Sequence, residues 1–381
     1  MRKAIRSLTI LAVLGSVAQA APFLAMGDSA EVFLTGTLGV RSDDNIYLAS
    51  RTKSSPTDPG RRSDYIADIV PGFELLYGQN ALTKGRAYYY ETITRYFDTN
   101  PENTTLSTVG FESNYDDQKT KMNFNASYVQ LAQNTVDIRA NFLVRRDVFH
   151  VEGGSEISVT DKTSVAGSVV YENIDYKRSG FESSKIASVP LKYYYYVLPK
   201  LALSGGFTYS DTQLSGGGIG SKDYFYNVGA RGEFTPKLTG TFSIGYTKRN
   251  MDAGPNQNTM GVDSSLAFAV DEKTSLNFGV TNAYGVSGSG QNERNLTWNV
   301  GFQSKIAEDW SAGSTLSYRT INYLGAGQHT DNYFEGSLNA KYTYSKMVNF
   351  TASVTYRNNS SSLVSSTFDN KVFAIAANIR Y

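Results

Sequence analysis

The chain contains no cysteine, so a disulfide framework, a zinc finger and an iron–sulfur centre are all excluded. Histidine is nearly missing as well, with His150 and His329 alone, and outer-membrane proteases and lipases need a positioned His beside a Ser or Asp. Neither His lies in a nucleophile motif, and the sequence has no phosphate-binding glycine loop or paired-His metal motif. We therefore expect no catalytic residue, no metal and no cofactor. Neither sign of charge is in excess, with 36 Lys+Arg against 35 Asp+Glu, whereas a nucleic-acid partner would require a strong basic surplus. No apolar run reaches about 18 residues, the length a membrane-spanning helix needs, and the mean hydropathy is −0.33. A polytopic α-helical membrane protein is excluded on that ground. A membrane β-barrel is not, because its strands alternate and average out to polar.

What the chain does have is 27 Tyr, 20 Phe and 34 Gly, with 40% hydrophobic residues. That content is too apolar for disorder and favours strands over helix bundles. Residues 1–20 read as a signal peptide. Arg2, Lys3 and Arg6 form a basic start, residues 8–17 a short apolar core, and Ala18-Gln19-Ala20 a small-residue cleavage site. Their removal leaves 33 basic against 35 acidic residues, about −2. Residues 21–381 are expected to form a single domain exported to the outer membrane.

From Glu31 onward, segment after segment alternates apolar with small or polar residues, the period of a strand with two different faces. Leu296, Trp298, Val300 and Phe302 share one face, with Asn295, Thr297, Asn299 and Gln303 on the other. Val348, Phe350, Ala352, Val354 and Tyr356 likewise oppose Asn349, Thr351, Ser353, Thr355 and Arg357. Tight connections at Asp161-Lys162, Pro199-Lys200, Pro236-Lys237, residues 271–273, Glu308-Asp309 and Ser345-Lys346 recur every 36 to 38 residues or so. Looser Gly/Ser/Asn-rich stretches lie between them. Short turns at one end and longer loops at the other predict an all-β, transmembrane, antiparallel up-and-down β-barrel of about 18 strands. Pro71 and Pro190 fall within strands and are expected to sit at bulges.

A second periodicity points to the membrane. Tyr171, Tyr209, Tyr246, Tyr284, Tyr318 and Tyr356 lie on the apolar face near the loop end of successive upward strands. Each comes about eight residues after its strand's first apolar position, roughly 20 Å of rise at a tilt of about 40°. A ring of tyrosines at one depth is an interfacial girdle, and Trp310, Tyr344 and Tyr381 would belong to the opposite one. At the C-terminus Phe373, Ile375, Ala377, Ile379 and Tyr381 share a face. This pattern is similar to the terminal aromatic strand by which the outer-membrane assembly machinery recognises barrel substrates.

Residues 39–47 (GVRSDDNIY) and 63–73 (SDYIADIVPGF) resemble the amino-terminal pattern of the β-barrel porin type 2 family of Gram-negative outer-membrane proteins. The resemblance implies an outer-membrane barrel acting as a porin or, as some members do, as the outer-membrane component of an exopolysaccharide export system. It brings no catalytic residues. Read as residues, Asp43, Asp44 and Asn45 are turn formers that bond local backbone N–H groups, with a Ca²⁺ site as the alternative.

A barrel of 16 to 18 strands encloses an aqueous channel, so function follows from the inward face. Alternation assigns Asp68, Glu74, Glu152, Glu156, Glu172, Asp223, Glu233 and Glu335 to it, together with Lys192, Arg231, Arg249, Arg319, Lys341, Arg357 and Arg380. The acidic group comes mainly from the first ten strands and the basic group from the later ones. Two readings are open: facing walls of opposite sign with a transverse field, or a solvated wall with local ion pairs. Residues 134–146 are the candidate constriction, because Ile138, Phe142, Leu143 and Val144 are too apolar for a free loop and Arg139, Arg145 and Arg146 would face the pore. The alternative is a longer strand. The expected partners are outer-membrane lipid, the barrel assembly machinery and a hydrophilic solute or polysaccharide. The expected function is passive passage of hydrophilic solutes, with an exopolysaccharide conduit as the alternative.

Overall fold

A computed structural model describes residues 21–27, 29–50, 60–138 and 140–381. The signal-peptide reading falls on residues outside this set, as does Arg139. Among the described residues nineteen strands follow one another. They are β1 (Leu24–Met26), β2 (Ala30–Asp43), β3 (Asp64–Tyr77), β4 (Thr83–Tyr96), β5 (Thr104–Asp116), β6 (Thr120–Ala132), β7 (Arg145–Thr160), β8 (Thr163–Tyr176), β9 (Ser184–Leu198) and β10 (Leu201–Leu214). Then come β11 (Ser221–Thr235), β12 (Leu238–Met251), β13 (Gln257–Ala269), β14 (Thr274–Val286), β15 (Asn292–Lys305), β16 (Trp310–Tyr323), β17 (Thr330–Thr343), β18 (Val348–Ser361) and β19 (Phe368–Arg380).

Each of β2 to β19 pairs antiparallel with its neighbour in sequence, and β19 returns to β2 from Val372↔Asp43 to Arg380↔Thr35. The result is a closed, antiparallel 18-stranded β-barrel with no free edge. β1 adds a short flap on β2. Tyr381 completes the closure, its backbone exchanging hydrogen bonds with Leu34 at 2.9 and 2.6 Å, while its ring meets Phe23 at 6.0 Å.

The turns close because of local chemistry. Asp117 accepts the backbone N–H of Thr120 and of Lys119, and Asp271 that of Lys273, which holds both carboxyls below their usual range. Gly78, at φ +69°, turns β3 into β4, and a Cβ there would stand 1.9 Å from the Thr83 carbonyl oxygen. The three register shifts, at Ser158/Thr160, Leu201/Ala202 and Glu233/Thr235, all fall beside turns.

The prolines depart from expectation. The β3–β4 ladder passes from Ile69↔Ile93 to Gly72↔Tyr90, and the β8–β9 ladder from Gly167↔Leu191 to Val170↔Ser188, both with register unchanged. Pro71 and Pro190 therefore insert no extra residue. Each lacks an N–H on one side, and the ladder omits pairs there while the other side stays continuous.

The outer face carries large exposed apolar side chains such as Leu38, Ile69, Val169, Val228, Leu338 and Phe373. Opposite them, Ser, Thr, Asn and charged residues point into the lumen. This is the reverse of a water-soluble core and fits lipid outside and water inside.

Candidate functional site

Every residue assigned to the lumen by alternation lies on the face opposite the exposed apolar one. The charges meet their neighbours rather than facing one another across a gap. Glu74 is held by Arg86, by the Tyr90 hydroxyl and, at 3.2 Å, by Arg380, whose guanidinium also lies 3.9 Å from the Phe33 ring centre. Glu156 takes both arms of Arg231, one at 2.7 Å, and Arg231 lies 3.4 Å over Tyr194 and donates to Tyr196 at 3.0 Å. Beside this pair a recess of about 420 Å³ is lined by Lys121, Tyr196, Lys200 and Thr241.

Asp68 meets Arg41 at 3.4 Å, Glu335 meets Arg357 at 3.2 Å, Glu233 meets Lys200 at 2.8 Å, and Glu172 lies 3.9 Å from His150. These contacts favour the reading of a solvated wall with local ion pairs, because opposite charges that meet at 2.7–3.9 Å neutralise each other before they can form opposed walls. Glu152 sits on β7 between His150 and Glu156. Lys192 on β9 and Lys341 on β17 occupy the same inward face.

The loop end is narrowed by chain that folds inward. Residues 133–138 leave β6 and make a tight turn, with Thr135 and Ile138 exchanging backbone hydrogen bonds of 2.8 and 3.1 Å. Val136 and Asp137 are thus presented at a tip. Asn134 fastens the base of this turn, donating to the Tyr47 and Ala140 carbonyls and accepting from Val144 N–H. The tip crosses the lumen to β16, eight strands from β6 and nine from β7 around an 18-strand ring. There Asp137 accepts from Arg319 Nη2 at 2.9 and 2.8 Å and from the Tyr323 hydroxyl at 3.3 Å, while Glu293 takes the same nitrogen at 3.0 Å. Val136 packs into a buried cluster with Leu48, Ile321, Tyr323 and Phe368.

Residues 44–50 fold in beside it. Ile46 and Tyr47 join Ile66, Tyr96 and Leu143 in a second buried cluster. The Tyr47 hydroxyl donates to Glu102 at 3.1 Å, and burial together with that carboxylate pushes its pKa up to about 12, so it stays a donor at any physiological pH. Leu48 adopts φ +53°, in the left-handed region. This costs about 1–2 kcal/mol, offset by burying its side chain to 5% exposure. Asp43, Asp44 and Asn45 act as turn formers: Asn45 N–H bonds Asp43 Oδ1 at 2.8 Å, and Asp44 Oδ1 accepts Lys371 N–H at 2.7 Å.

The candidate constriction residues divide. Arg146 points inward and is buried, donating to the Gln133 carbonyl at 3.2 Å. Arg145 is exposed on the opposite face, which it shares with Phe149 and Ile157. Its pore-facing assignment is corrected, because β7 already begins at Arg145 and alternation turns it outward. Asp137 and Glu293 were not anticipated. Nor was Arg86, although its place two residues before Tyr88 on an alternating segment was a usable signal.

The tyrosine ring also departs at one place. Tyr246, Tyr318 and Tyr356 are exposed on the outer face, and Tyr171 and Tyr209 are half-buried there, against Phe149 and Tyr224. Tyr284 is 5% exposed, its ring 4.6 Å from the Arg249 guanidinium. The cause is a split in the wall. The β13–β14 ladder stops at Val262↔Asn282, although β13 begins at Gln257 and β14 runs to Val286, and Tyr284 fills the gap. Trp310, Tyr344 and Tyr381 are exposed at the turn end, and Phe373, Ile375 and Ile379 line the outside of β19.

Solved structures of like fold include the outer-membrane protein OpdK (OccK1) of Pseudomonas aeruginosa, 8% identical with a TM-score of 0.50, over 92% of this chain and 99% of that one. Another is OccAB4 of Acinetobacter baumannii, 10% identical with a TM-score of 0.47, over 93% and 99%. Identities this low speak to the fold alone. No curated protein matches. The profile of the family described as Putative beta-barrel porin 2 matches residues 102–381. The match rests on the run of hairpins rather than on residues 39–47 and 63–73, which lie before it. With more than half its length matched, and a closed barrel greasy outside and polar within, this chain is a member of that family of outer-membrane β-barrel porins.

Proposed function

We propose that the protein is a restricted channel through which small hydrophilic solutes pass down their gradients. The observation that carries this reading is the inward turn 133–138, which reaches across the mouth of a polar lumen and is pinned to the far wall by Asp137 and Arg319. A loop held across the pore by side-chain contacts sets a size limit without needing a partner protein. Nothing in the fold relatives or in this narrowed mouth favours a wide polysaccharide conduit. Refolded protein in a planar bilayer is expected to give small, stable unitary currents that sugars of increasing size reduce progressively. A barrel silent at every voltage would overturn the proposal.

Biogenesis belongs to the same reading. Tyr381 both ends the aromatic strand and pairs with Leu34 across the closing seam, so it would serve recognition by the assembly machinery as well as closure. Deleting Tyr381 is expected to lower the amount of folded barrel in outer membranes severalfold. In refolding from urea into detergent, where no machinery acts, the loss should be smaller. Equal losses in both settings would remove the recognition role.

A further inference from the structure

We infer that the notch at the loop end of the β5–β6 seam binds a phosphate group carried by an anionic glycolipid of the outer leaflet. The inference takes the loop end to face the cell exterior, as in outer-membrane barrels generally. The β5–β6 ladder ends at Thr108↔Val129, although β5 begins at Thr104 and β6 runs to Ala132. Above that point the two strands part. Ser107 N–H, deprived of a backbone partner, donates to Gln130 Oε1 at 3.1 Å. In the opening lies a pocket of about 430 Å³ lined by Thr104, Ala132, the buried Leu143 and the exposed Arg145, Lys177 and Arg178.

The charges in this pocket are not balanced. Arg145 is exposed, and among the described residues no carboxylate pairs with it or with Arg178, whose guanidinium rests 4.5 Å from the Phe142 ring centre. Lys177 bridges Asp147, at 3.0 Å, and Asp175. Glu102, the acidic residue on the lining, already accepts from the Tyr47 hydroxyl and from Leu143 N–H. Two guanidinium groups are left with free donors, and their fork geometry matches phosphate oxygens.

The height of the pocket selects the source of the phosphate. Arg145 lies on the lipid-facing side of β7, four residues above Phe149, which contacts the girdle residue Tyr171. That is a rise of roughly 10 Å at a tilt of about 40°, which brings Arg145 from the aromatic belt to the headgroup layer. Basic pockets at that level hold anionic headgroups. The acyl chains would run down the apolar wall beside Phe149, and the phosphate would close the notch.

The test uses the full-length mature protein in phosphatidylethanolamine vesicles, with bisphosphorylated lipid A, the same lipid after phosphatase treatment, or inorganic phosphate as probe. Bound probe is read by native mass spectrometry after extraction. Wild type is expected to retain lipid A, and Arg145→Glu/Arg178→Glu to lose at least tenfold in occupancy at limiting lipid. Lys200→Glu, a charge change at the turn end, should keep it. All three should show the same heat-modifiable gel shift, so that misfolding is told apart from lost binding. Equal retention of lipid A by the double variant, or of the phosphatase-treated lipid by wild type, would overturn the site. Displacement of lipid A by millimolar inorganic phosphate would overturn its assignment to a lipid.

Discussion

Arg249→Met is expected to cost the barrel about 3–5 kcal/mol of stability, the usual penalty for stripping one partner from a buried ion pair. Arg249 is 0% exposed and donates through Nε and Nη2 to both oxygens of Asp223, each at 2.7 Å. Its remaining arm reaches across the split between β13 and β14 to the Gly285 carbonyl at 3.0 Å and Asn292 Oδ1 at 2.8 Å. One side chain on β12 therefore ties β11, β14 and β15 together where the backbone ladder has stopped. Removing it leaves Asp223, 4% exposed, as an uncompensated buried charge and reopens the seam. Urea unfolding in detergent or vesicles should show a lowered midpoint, and the folded gel band should be lost at lower temperature. Asp223→Asn/Arg249→Met is expected to recover much of the loss, because removing both partners leaves no stranded charge. A single variant within about 0.5 kcal/mol of wild type, the range of ordinary surface changes, would show that the seam does not depend on the guanidinium.

The contrast between this residue and its neighbours marks how much the sequence disclosed. Arg249 was assigned to the inward face, and it lies there, because a strand's two-residue period fixes the face of every side chain once one residue is placed. The same rule placed Glu74, Glu156, Arg231, Arg319 and Arg357, and the turns announced themselves through Asp, Pro and Lys at regular intervals. Alternation is silent about height and about what each residue meets. Strand tilt shifts neighbours along the wall by an amount that no single strand records. Arg231 was therefore legible as a lumen residue but not as the partner of Glu156, 75 residues earlier. Tyr284 fits the girdle in register and still turns into the wall, because the parting of β13 from β14 leaves a hole that a ring can fill. Loops have no period at all. The apolar residues of 134–146 signalled that the segment would not lie free in water, yet nothing local to it named Arg319, 182 positions away, as the anchor.

That anchor carries the second large effect: deleting residues 135–138 should raise unitary conductance severalfold, with barrel stability little changed. The tip is held by charged hydrogen bonds from Arg319, worth about 1.5–3 kcal/mol, and by the burial of Val136 and Ile138, 5% and 6% exposed. The barrel wall makes none of its own ladder bonds through these residues. Asp137→Ala is the finer probe. It keeps the loop but gives up about 2 kcal/mol of the anchoring, enough to move the ratio of open to closed positions about thirtyfold. Arg319 remains occupied by Glu293 at 3.0 Å, so no buried cation is stranded and the wall should stay intact. Single-channel recording of the three proteins side by side decides the matter. Asp137→Ala should flicker between the wild-type level and the level of the deletion, and the deletion should hold the higher level continuously. Identical currents from all three would mean that the constriction lies elsewhere, with the paired Glu156 and Arg231 near the turn end as the next place to cut.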